Sequence, residues 1–235
     1  MDDLFHLRHF TTGEYNKNRT FLSDEDYSLA LDVFVKGCAD VMLCDPLSHQ
    51  VLLLKRSVQP QKDWWFLGGR MQAGEEPHVT AARHVRREAG VDLAPQRFRA
   101  VCHSSYLWQF RKQAPAGNGT ADIAVVFSVD VTPQEKADIR LDMNEYETFC
   151  WCDVQEVIDN AMYHPALRRA ALHLQMRDKW DSMAAAVSAP PGTAQQGDAE
   201  GQDARIAGFA RELIALQAAA LALPSHVPLP PEQNT

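Results

Sequence analysis

The fold of this chain is decided between residues 68 and 91, which read GGRMQAGEEPHVTAARHVRREAGV. Pro77 suits the first turn of a helix and Gly90 its C-terminal stop, which predicts a helix of about three turns between them. The paired glycines Gly68 and Gly69 predict a sharp turn before this helix, where the backbone can approach a ligand or metal closely. The stretch therefore predicts a glycine loop (residues 68–72) that leads into a short helix.

One face of the predicted helix carries three polar side chains. Arg87 and Glu88 follow His84 by three and four residues, so all three side chains lie on the same side of the helix. Two interpretations of His84 stay open: it ligates a metal or touches phosphate, or it is an ordinary solvated helical histidine, which we favour.

Glu75 follows Gly69 by six residues, and the sequence RHVRREAGV follows at 83–91. This pattern resembles the box of the Nudix hydrolase superfamily. His84 and Arg87 stand where the family has glutamates, so the box is degenerate. The resemblance implies an α/β fold, the Nudix α/β/α sandwich with a mixed sheet. It also implies a bound Mg²⁺ or Mn²⁺, with the Gly69 carbonyl and Glu88 among its ligands. Arg87 then compensates part of the lost carboxylate cluster or pairs with phosphate oxygens.

The likeness extends beyond the box toward one branch, the GDP-mannose mannosyl hydrolases, whose box also retains only the last of these helix glutamates. The matching segments are Phe21–Tyr27, Lys55–Arg56, Gly68–Gln72 and Leu107–Gln109. In that branch water is thought to attack the anomeric carbon of the sugar, which releases a nucleoside diphosphate and the free sugar. The resemblance thus implies a divalent-metal-dependent hydrolase of a nucleotide sugar such as GDP-mannose.

The same resemblance assigns substrate-binding roles to Asp40, Arg56, Arg70 and Arg83. Arg70 is also implied as a catalytic residue, since it would neutralise the departing diphosphate. Arg83 has an alternative interpretation of equal weight, which is a local salt bridge within the box.

The family completes its site just before a late strand. Counting back along that strand gives Glu145 as the third metal ligand and Tyr146 in place of the family's histidine base. A phenol with a pKa near 10 is a poor base at neutral pH, so Glu147, one residue further on, is an alternative catalytic residue, and His84 is another.

Two other functions stay open. The chain could be an ordinary Nudix diphosphatase, in which Glu75, Glu88 and Glu145 hold a reduced set of metal ions and water attacks phosphorus. It could also be a module that binds a nucleotide sugar without turning it over, because the catalytic positions are altered.

Composition and charge narrow the class of protein. The chain has 235 residues with 46% hydrophobic composition, enough for one substantial core and an appendage. Its formal net charge of -8 argues against a nucleic acid polymer as partner. It shows no long apolar stretch and no secretory signal, so we expect a cytoplasmic protein without a membrane partner. Five cysteines without a disulfide-framework spacing predict free thiols, and related enzymes suggest a homodimer.

Hydrophobic periodicity and turn residues predict the other elements. Helices are predicted at 21–31, 154–161 and 165–180, and strands at 33–44, 51–55, 98–110, 123–131 and 148–152. The loop at 113–120 is a candidate for closure over a substrate. The predicted domains are a Nudix domain with an N-terminal extension at 1–180, a flexible linker at 181–205, an amphipathic helix at 206–223 and a disordered tail at 224–235.

Overall fold

The computed structural model describes residues 9–16, 20–188 and 197–228. The helices within these ranges are α1 (Asp24–Val33), α2 (Pro77–Ala89), α3 (Pro133–Asp138), α4 (Val154–Asp159), α5 (Pro165–Ser188) and α6 (Gly197–Ala222). The strands are β1 (Lys36–Asp45), β2 (Gln50–Arg56), β3 (Trp64–Trp65), β4 (Leu67–Arg70), β5 (Arg99–Trp108), β6 (Thr120–Asp130) and β7 (Tyr146–Asp153). The chain divides into two compact units after Glu156.

The first unit is built on a mixed sheet of seven strands. Five of them follow one another in the order β3-β2-β1-β6-β5, while β4 also pairs with β1 and β7 with β2. β1 and β6 are parallel, and the other pairs are antiparallel. The mixed sheet and its flanking helices confirm the predicted α/β/α sandwich.

The predicted hairpin of β1 and β2 is present, and its turn is stabilised by local hydrogen bonds. The Oδ1 atom of Asp45 accepts from the backbone N–H of Leu47 at 3.0 Å, and His49 adopts a positive φ of 53°. An aspartate that bonds to the backbone two residues ahead favours a turn over further strand. This turn sends β2 back along β1.

The glycine loop runs so close to β1 that a side chain at Gly68 has no room. Gly68 has a φ of +141°, and a Cβ atom there would lie 2.3 Å from the carbonyl oxygen of Ala39. The strand register pairs Gly68 with Asp40. The loop is therefore held directly against the middle of β1.

The box helix α2 begins and ends where the sequence predicts. Pro77 occupies the first turn, and Gly90 closes the helix in the left-handed region with a φ of +72°. Ala81, Val85 and Ala89 are fully buried and belong to the hydrophobic core under the sheet. This packing fixes the rotation of α2, so its polar residues are directed at the glycine loop.

Helix α3 is absent from the sequence predictions, although its signal is visible in the chain. Thr132 and Glu135 form a reciprocal capping box, in which the Thr132 hydroxyl accepts from the Glu135 N–H at 3.2 Å and the Glu135 carboxylate accepts from the Thr132 N–H at 2.8 Å. Thr-Pro-Gln-Glu is a sequence typical of a helix start.

The second unit contains α5 and α6, which contact each other. Lys179 and Glu212 are 2.6 Å apart, and the Gln202 side chain donates to the Ala186 carbonyl at 2.7 Å. α5 continues to Ser188 and α6 begins at Gly197, so residues 181–188 and 197–205, predicted as parts of a flexible linker, are helical. The run Ala184, Ala185 and Ala186 lies here, and alanine favours helix strongly.

Parts of other predictions fall beyond the described ranges. Residues 1–8 and 17–19 of the N-terminal extension, 189–196 of the linker and 229–235 of the tail lie outside them. All five cysteines are free, as predicted. No helix in the described ranges combines the length and the apolar character that crossing a membrane requires.

Candidate functional site

A cavity of about 160 Å³ opens beside the glycine loop in the first unit. Helix α1 and strands β1 to β6 all contribute to its walls. Its charged lining residues are Lys36, Asp40, Arg56, Arg70 and Asp122. Charge at this density favours a polar, ionised ligand.

Asp40 supplies one of the two buried carboxyl groups in the described lining of this cavity, with 6% of the residue exposed, and Asp122 supplies the other. Burial raises the pKa of Asp40 to about 7, although the Arg56 guanidinium opposes the rise. The negative charges of Asp122 and Glu88 raise that pKa further. A carboxyl group with a pKa near neutrality can take up and release a proton during a reaction.

Asp122 lies nearby on β6, and its charge is held in place from two sides. The Lys36 ammonium is 2.8 Å from its Oδ1 atom, and the Trp108 indole N–H donates to its Oδ2 atom at 2.9 Å. Lys36 also donates to the Thr120 hydroxyl at 2.9 Å. These contacts fix the position of the Asp122 carboxylate.

Aromatic rings form another part of the cavity wall. Trp65 meets Tyr106 and Trp108 edge-on, with ring centroids 5.5 and 5.4 Å away. Tyr106 and Trp108 stack with their centroids 5.2 Å apart. Rigid aromatic surfaces of this kind suit the face of a sugar ring or a nucleobase.

Helix α1 reaches the cavity through Tyr27. The exposed Arg70 guanidinium lies 4.7 Å from the centroid of the Tyr27 ring, which is a cation–π contact. This contact directs a positive charge at the cavity entrance from the end of β4.

Buried Arg111 ties α1 to the loop between β5 and β6. Its guanidinium donates to Asp32 and Ser28 at 2.6 Å each and to the Gly119 carbonyl at 3.2 Å. The loop at 113–120, a candidate for closure over a substrate, is therefore anchored to α1.

Glu88 is the centre of a second cluster, which lies inside the first unit between α2, β4 and β7. The Nδ1 atom of His84 is 2.6 Å from Oε1, and Arg87 donates to the same oxygen. The Tyr146 O–H donates a hydrogen bond to Oε2, and the Gly68 N–H donates one to the same oxygen at 3.3 Å. We call these five residues the Glu88 cluster.

The electrostatics of this cluster favour an ionised glutamate and a protonated tyrosine. Burial opposes the charge of Glu88, but hydrogen bonds and charge from His84, Tyr146 and Arg87 outweigh it and lower the pKa of Glu88. Burial raises the pKa of Tyr146, and the adjacent Glu88 charge raises it further. Tyr146 therefore acts as a hydrogen-bond donor, and its pKa is moved away from that of a base.

Arg83 forms a bidentate salt bridge with Glu75 elsewhere in the box. Its Nε and one terminal nitrogen each lie 2.8 Å from a different oxygen of Glu75, and Thr80 donates to Glu75 at 2.8 Å. Burial opposes ionisation of Glu75, yet the Arg83 hydrogen bonds lower its pKa to about 2. Arg83 also donates to the Arg70 carbonyl at 3.0 Å, so the pair braces the glycine loop.

A family model described as the NUDIX domain matches residues 36–174, more than half of the chain. The chain belongs to the Nudix family. It is a Nudix-family hydrolase, as the box predicts. A search among curated proteins gives no significant match.

Solved structures of similar fold come from several organisms. The MutT protein of Methanosarcina mazei Go1 is 17% identical with a TM-score of 0.48, over 63% of this chain and 95% of that one. The Ap4A hydrolase of C. elegans is 18% identical with a TM-score of 0.42, over 60% and 96% of the two chains. The dihydroneopterin triphosphate pyrophosphohydrolase of E. coli is 18% identical with a TM-score of 0.45, over 58% and 94%. At these values the substrates of those proteins carry no argument about this one.

The Nudix site residues predicted from the sequence separate into two groups. Asp40, Arg56, Gly69 and Arg70 line the cavity. The other group lies outside the cavity lining: Arg83, Glu88, Glu145, Tyr146 and Glu147.

Neither of the two glutamates that flank Tyr146 lines the cavity. Glu147 is exposed on β7 and lies 3.4 Å from Lys55. The Glu145 carbonyl accepts from the backbone N–H of Ser57 at 3.0 Å, and the Glu145 side-chain charge raises the pKa of Arg87. The structure therefore does not bring Glu147 to the cavity.

His84 corrects one sequence interpretation. It is not solvated, because only 3% of the residue is exposed, and its ring lies against Gly69 while it bonds to Glu88. Helical periodicity predicts which face His84 occupies but not that the glycine loop covers this face. Lys36 and Asp122 were missed altogether, although a carboxylate inside the apolar β6 sequence is a signal that could have been used.

The residues present do not fit the divalent ion that the Nudix resemblance implies. An ionised carboxylate offers about four lone-pair sites, and the four donors of the cluster occupy those of Glu88. In the described ranges no group of three or more His, Cys, Asp and Glu side chains is arranged to hold a metal. Of the predicted ligand set Gly69, Glu88 and Glu145, Glu88 is therefore already occupied by protein donors.

Proposed function

We propose that this chain hydrolyses a nucleotide sugar in the Asp40 cavity and releases a nucleoside diphosphate and the free sugar. The observation that carries the proposal is the cavity lining. Three of the four substrate-binding residues implied by the resemblance, Asp40, Arg56 and Arg70, lie together there beside an aromatic wall. Arginines suit a diphosphate, and flat rings suit a sugar or a base.

Asp40 is the acid–base group that the geometry supports best. In the proposed reaction Asp40 takes a proton from water, and the water oxygen forms a bond to the anomeric carbon. The bond between that carbon and the diphosphate oxygen breaks, and its electron pair leaves with the diphosphate. A pKa of about 7 lets Asp40 accept this proton at neutral pH.

Arg56 and Arg70 would neutralise the charge that develops on the departing oxygen. The Nε atom of Arg56 is buried without a hydrogen-bond partner in the described ranges, so it retains a donor for a ligand. Arg70 contacts the Tyr27 ring, and no carboxylate in the described part of the chain forms a salt bridge with it, so its charge stays available to a ligand. Preorganised cations of this kind stabilise a transition state more than they stabilise the substrate.

The divalent ion that the resemblance implies has no fitting site among the residues described above. Since the lone pairs of Glu88 are occupied, no step of the proposed reaction uses a metal. The GDP-mannose preference, the homodimer and the cytoplasmic location stay predictions from the sequence.

The test is phosphorus NMR in ¹⁸O-labelled water with a panel of nucleotide sugars headed by GDP-mannose. The expected product is an unlabelled nucleoside diphosphate, which establishes attack on carbon. Asp40→Asn should lose at least about 100-fold in kcat, since a positioned base contributes about 10²–10⁴-fold. Asp92→Asn, an exposed aspartate, is the matched control and should retain the wild-type rate.

Two results would overturn this proposal. A labelled nucleoside monophosphate or sugar phosphate would indicate a diphosphatase that attacks phosphorus. Ligand-induced thermal stabilisation without any product would indicate a binding module.

A further inference from the structure

The Nudix helix of this chain places a cation where its family places metal ligands. Arg87 lies directly before Glu88, and its guanidinium donates to the Glu88 Oε1 atom. The Arg87 side chain is half exposed, whereas that of Glu88 is 2% exposed. The guanidinium therefore covers Glu88 from the solvent side.

The other oxygen of Glu88 is closed from the opposite direction. Tyr146 on β7 and the Gly68 N–H on β4 both donate to Oε2, while His84 on α2 shares Oε1 with Arg87. Each oxygen thus has two donors, which is about its full capacity. A metal ion would have to displace one of them and leave that buried donor without a partner.

Charge reinforces this geometry. Burial alone lowers the pKa of Arg87, but the negative charges of Glu88 and Glu145 outweigh it and raise that pKa. The same guanidinium thus interacts with both side chains that the sequence assigned to the metal. A divalent cation bound to them would meet the positive charge of Arg87 at short range.

We propose that Arg87 is a built-in replacement for the divalent cation, which closes the Nudix box of this chain to Mg²⁺ and Mn²⁺. Glu88 then serves as a positioning residue. It joins α2, β4 and β7 through hydrogen bonds and so holds the glycine loop against the cavity. The nucleotide diphosphate of the proposed function would be neutralised by arginines alone.

The test is Mn²⁺ binding to the full chain, followed by the electron paramagnetic resonance signal of free Mn²⁺. Wild type should show no binding at Glu88 up to 1 mM Mn²⁺, on the order of the weakest protein sites for divalent ions. The double variant His84→Glu/Arg87→Glu restores the carboxylates of a complete box and should bind Mn²⁺ at least tenfold more tightly than wild type. Arg86→Glu, which changes the exposed neighbouring arginine by the same charge, should not gain this binding.

The wild-type titration decides the matter even if the double variant fails to fold. If wild type binds Mn²⁺ and Glu88→Gln does not, the proposal is overturned. If Glu88→Gln binds Mn²⁺ as wild type does, the ion occupies another site and the proposal stands. Arg87→Gln opens one lone pair of Glu88 without adding a carboxylate, and equal Mn²⁺ affinity in Arg87→Gln, the double variant and wild type would also overturn it. No substrate enters these titrations, so their outcome is independent of the proposed hydrolysis.

Discussion

Two buried carboxylates lie close to Gly68, and the fold shifts their pKa values in opposite directions. The Gly68 N–H donates to Glu88, whereas a Cβ atom on Gly68 would lie 3.0 Å from Oδ1 of Asp40. Four donors surround Glu88, and its pKa is lowered despite burial. Burial raises the pKa of Asp40 to about 7, and the Arg56 charge compensates only part of the rise.

The comparison separates a structural carboxylate from one suited to chemistry. Glu88 accepts hydrogen bonds from the protein on both of its oxygens, which stabilises its charge and fixes its position. Asp40 lines the cavity, and the Glu88 charge is one of the causes that raise its pKa. Glu88, which the resemblance assigns to metal binding, thus contributes to the raised pKa of Asp40, the proposed acid–base group.

The largest effect is expected from removing the charge of Glu88. Glu88→Gln leaves Arg87 and the other hydrogen-bond donors of Glu88 facing a neutral group. We expect the free energy of unfolding to fall by about 3–5 kcal/mol, as it does when other buried ion pairs are broken. Urea unfolding measures it. Glu156→Gln, which removes an exposed glutamate, should stay within about 0.5 kcal/mol of wild type. A similarly small loss for Glu88→Gln would erase the distinction between the two carboxylates.

Asp40→Asn is expected to act in the opposite direction, with a dependence on pH. The pKa of Asp40 is about 7 in the folded protein and 3.8 as its ordinary value. Between pH 3.8 and pH 7 the folded chain therefore binds more protons than the unfolded chain. The charge of Asp40 thus destabilises the folded chain as pH rises. Asp40→Asn should equal wild type in stability near pH 4 and exceed it at pH 8. The upper bound on the gain is about 4 kcal/mol, at 1.36 kcal/mol per pKa unit.

A second aspartate on β1 provides the contrast for this measurement. Hydrogen bonds from Lys136 and Ser48 lower the pKa of Asp45, so its charge stabilises the fold at neutral pH. Asp45→Asn should therefore lose stability at pH 8 relative to wild type, and this loss should shrink on acidification. If the two variants respond to pH with the same sign, Asp40 is not the destabilised carboxylate described here.

Glu75 tests whether a second carboxylate of the box also stabilises the fold through its ion pairs. Glu75→Gln breaks its bidentate bond with Arg83, and we expect a loss of about 2 kcal/mol, less than for a fully buried pair because Arg83 is partly exposed. Thermal unfolding at pH 7 measures it. Arg86→Gln, an exposed arginine of the same helix, should change stability by no more than about 0.5 kcal/mol.

Local sequence signals predicted the secondary structure around this site, whereas contacts between distant residues determine which of its side chains are already hydrogen-bonded. Pro77 and Gly90 are enough to predict α2, because capping preferences depend on neighbouring residues. The donors of Glu88 include Tyr146, which is 58 residues away in sequence, so no local pattern indicates that the carboxylate is occupied. His84 illustrates the same limit, since its face was predicted correctly and its burial was not.

The smallest effect is expected from Tyr146→Phe, which separates a donor from a base. Loss of one hydrogen bond to a buried charged group should cost about 1–2 kcal/mol in the free energy of unfolding. Turnover should stay within about threefold of wild type, because the raised pKa of Tyr146 keeps its proton in place and Asp40 is the proposed base. A loss of kcat of about 100-fold at unchanged KM would make Tyr146 part of the proton transfer and would return the catalytic role to the position that the family resemblance assigned. Since Phe fills nearly the same volume, the free energy of unfolding and kcat report separately on the two roles of this side chain.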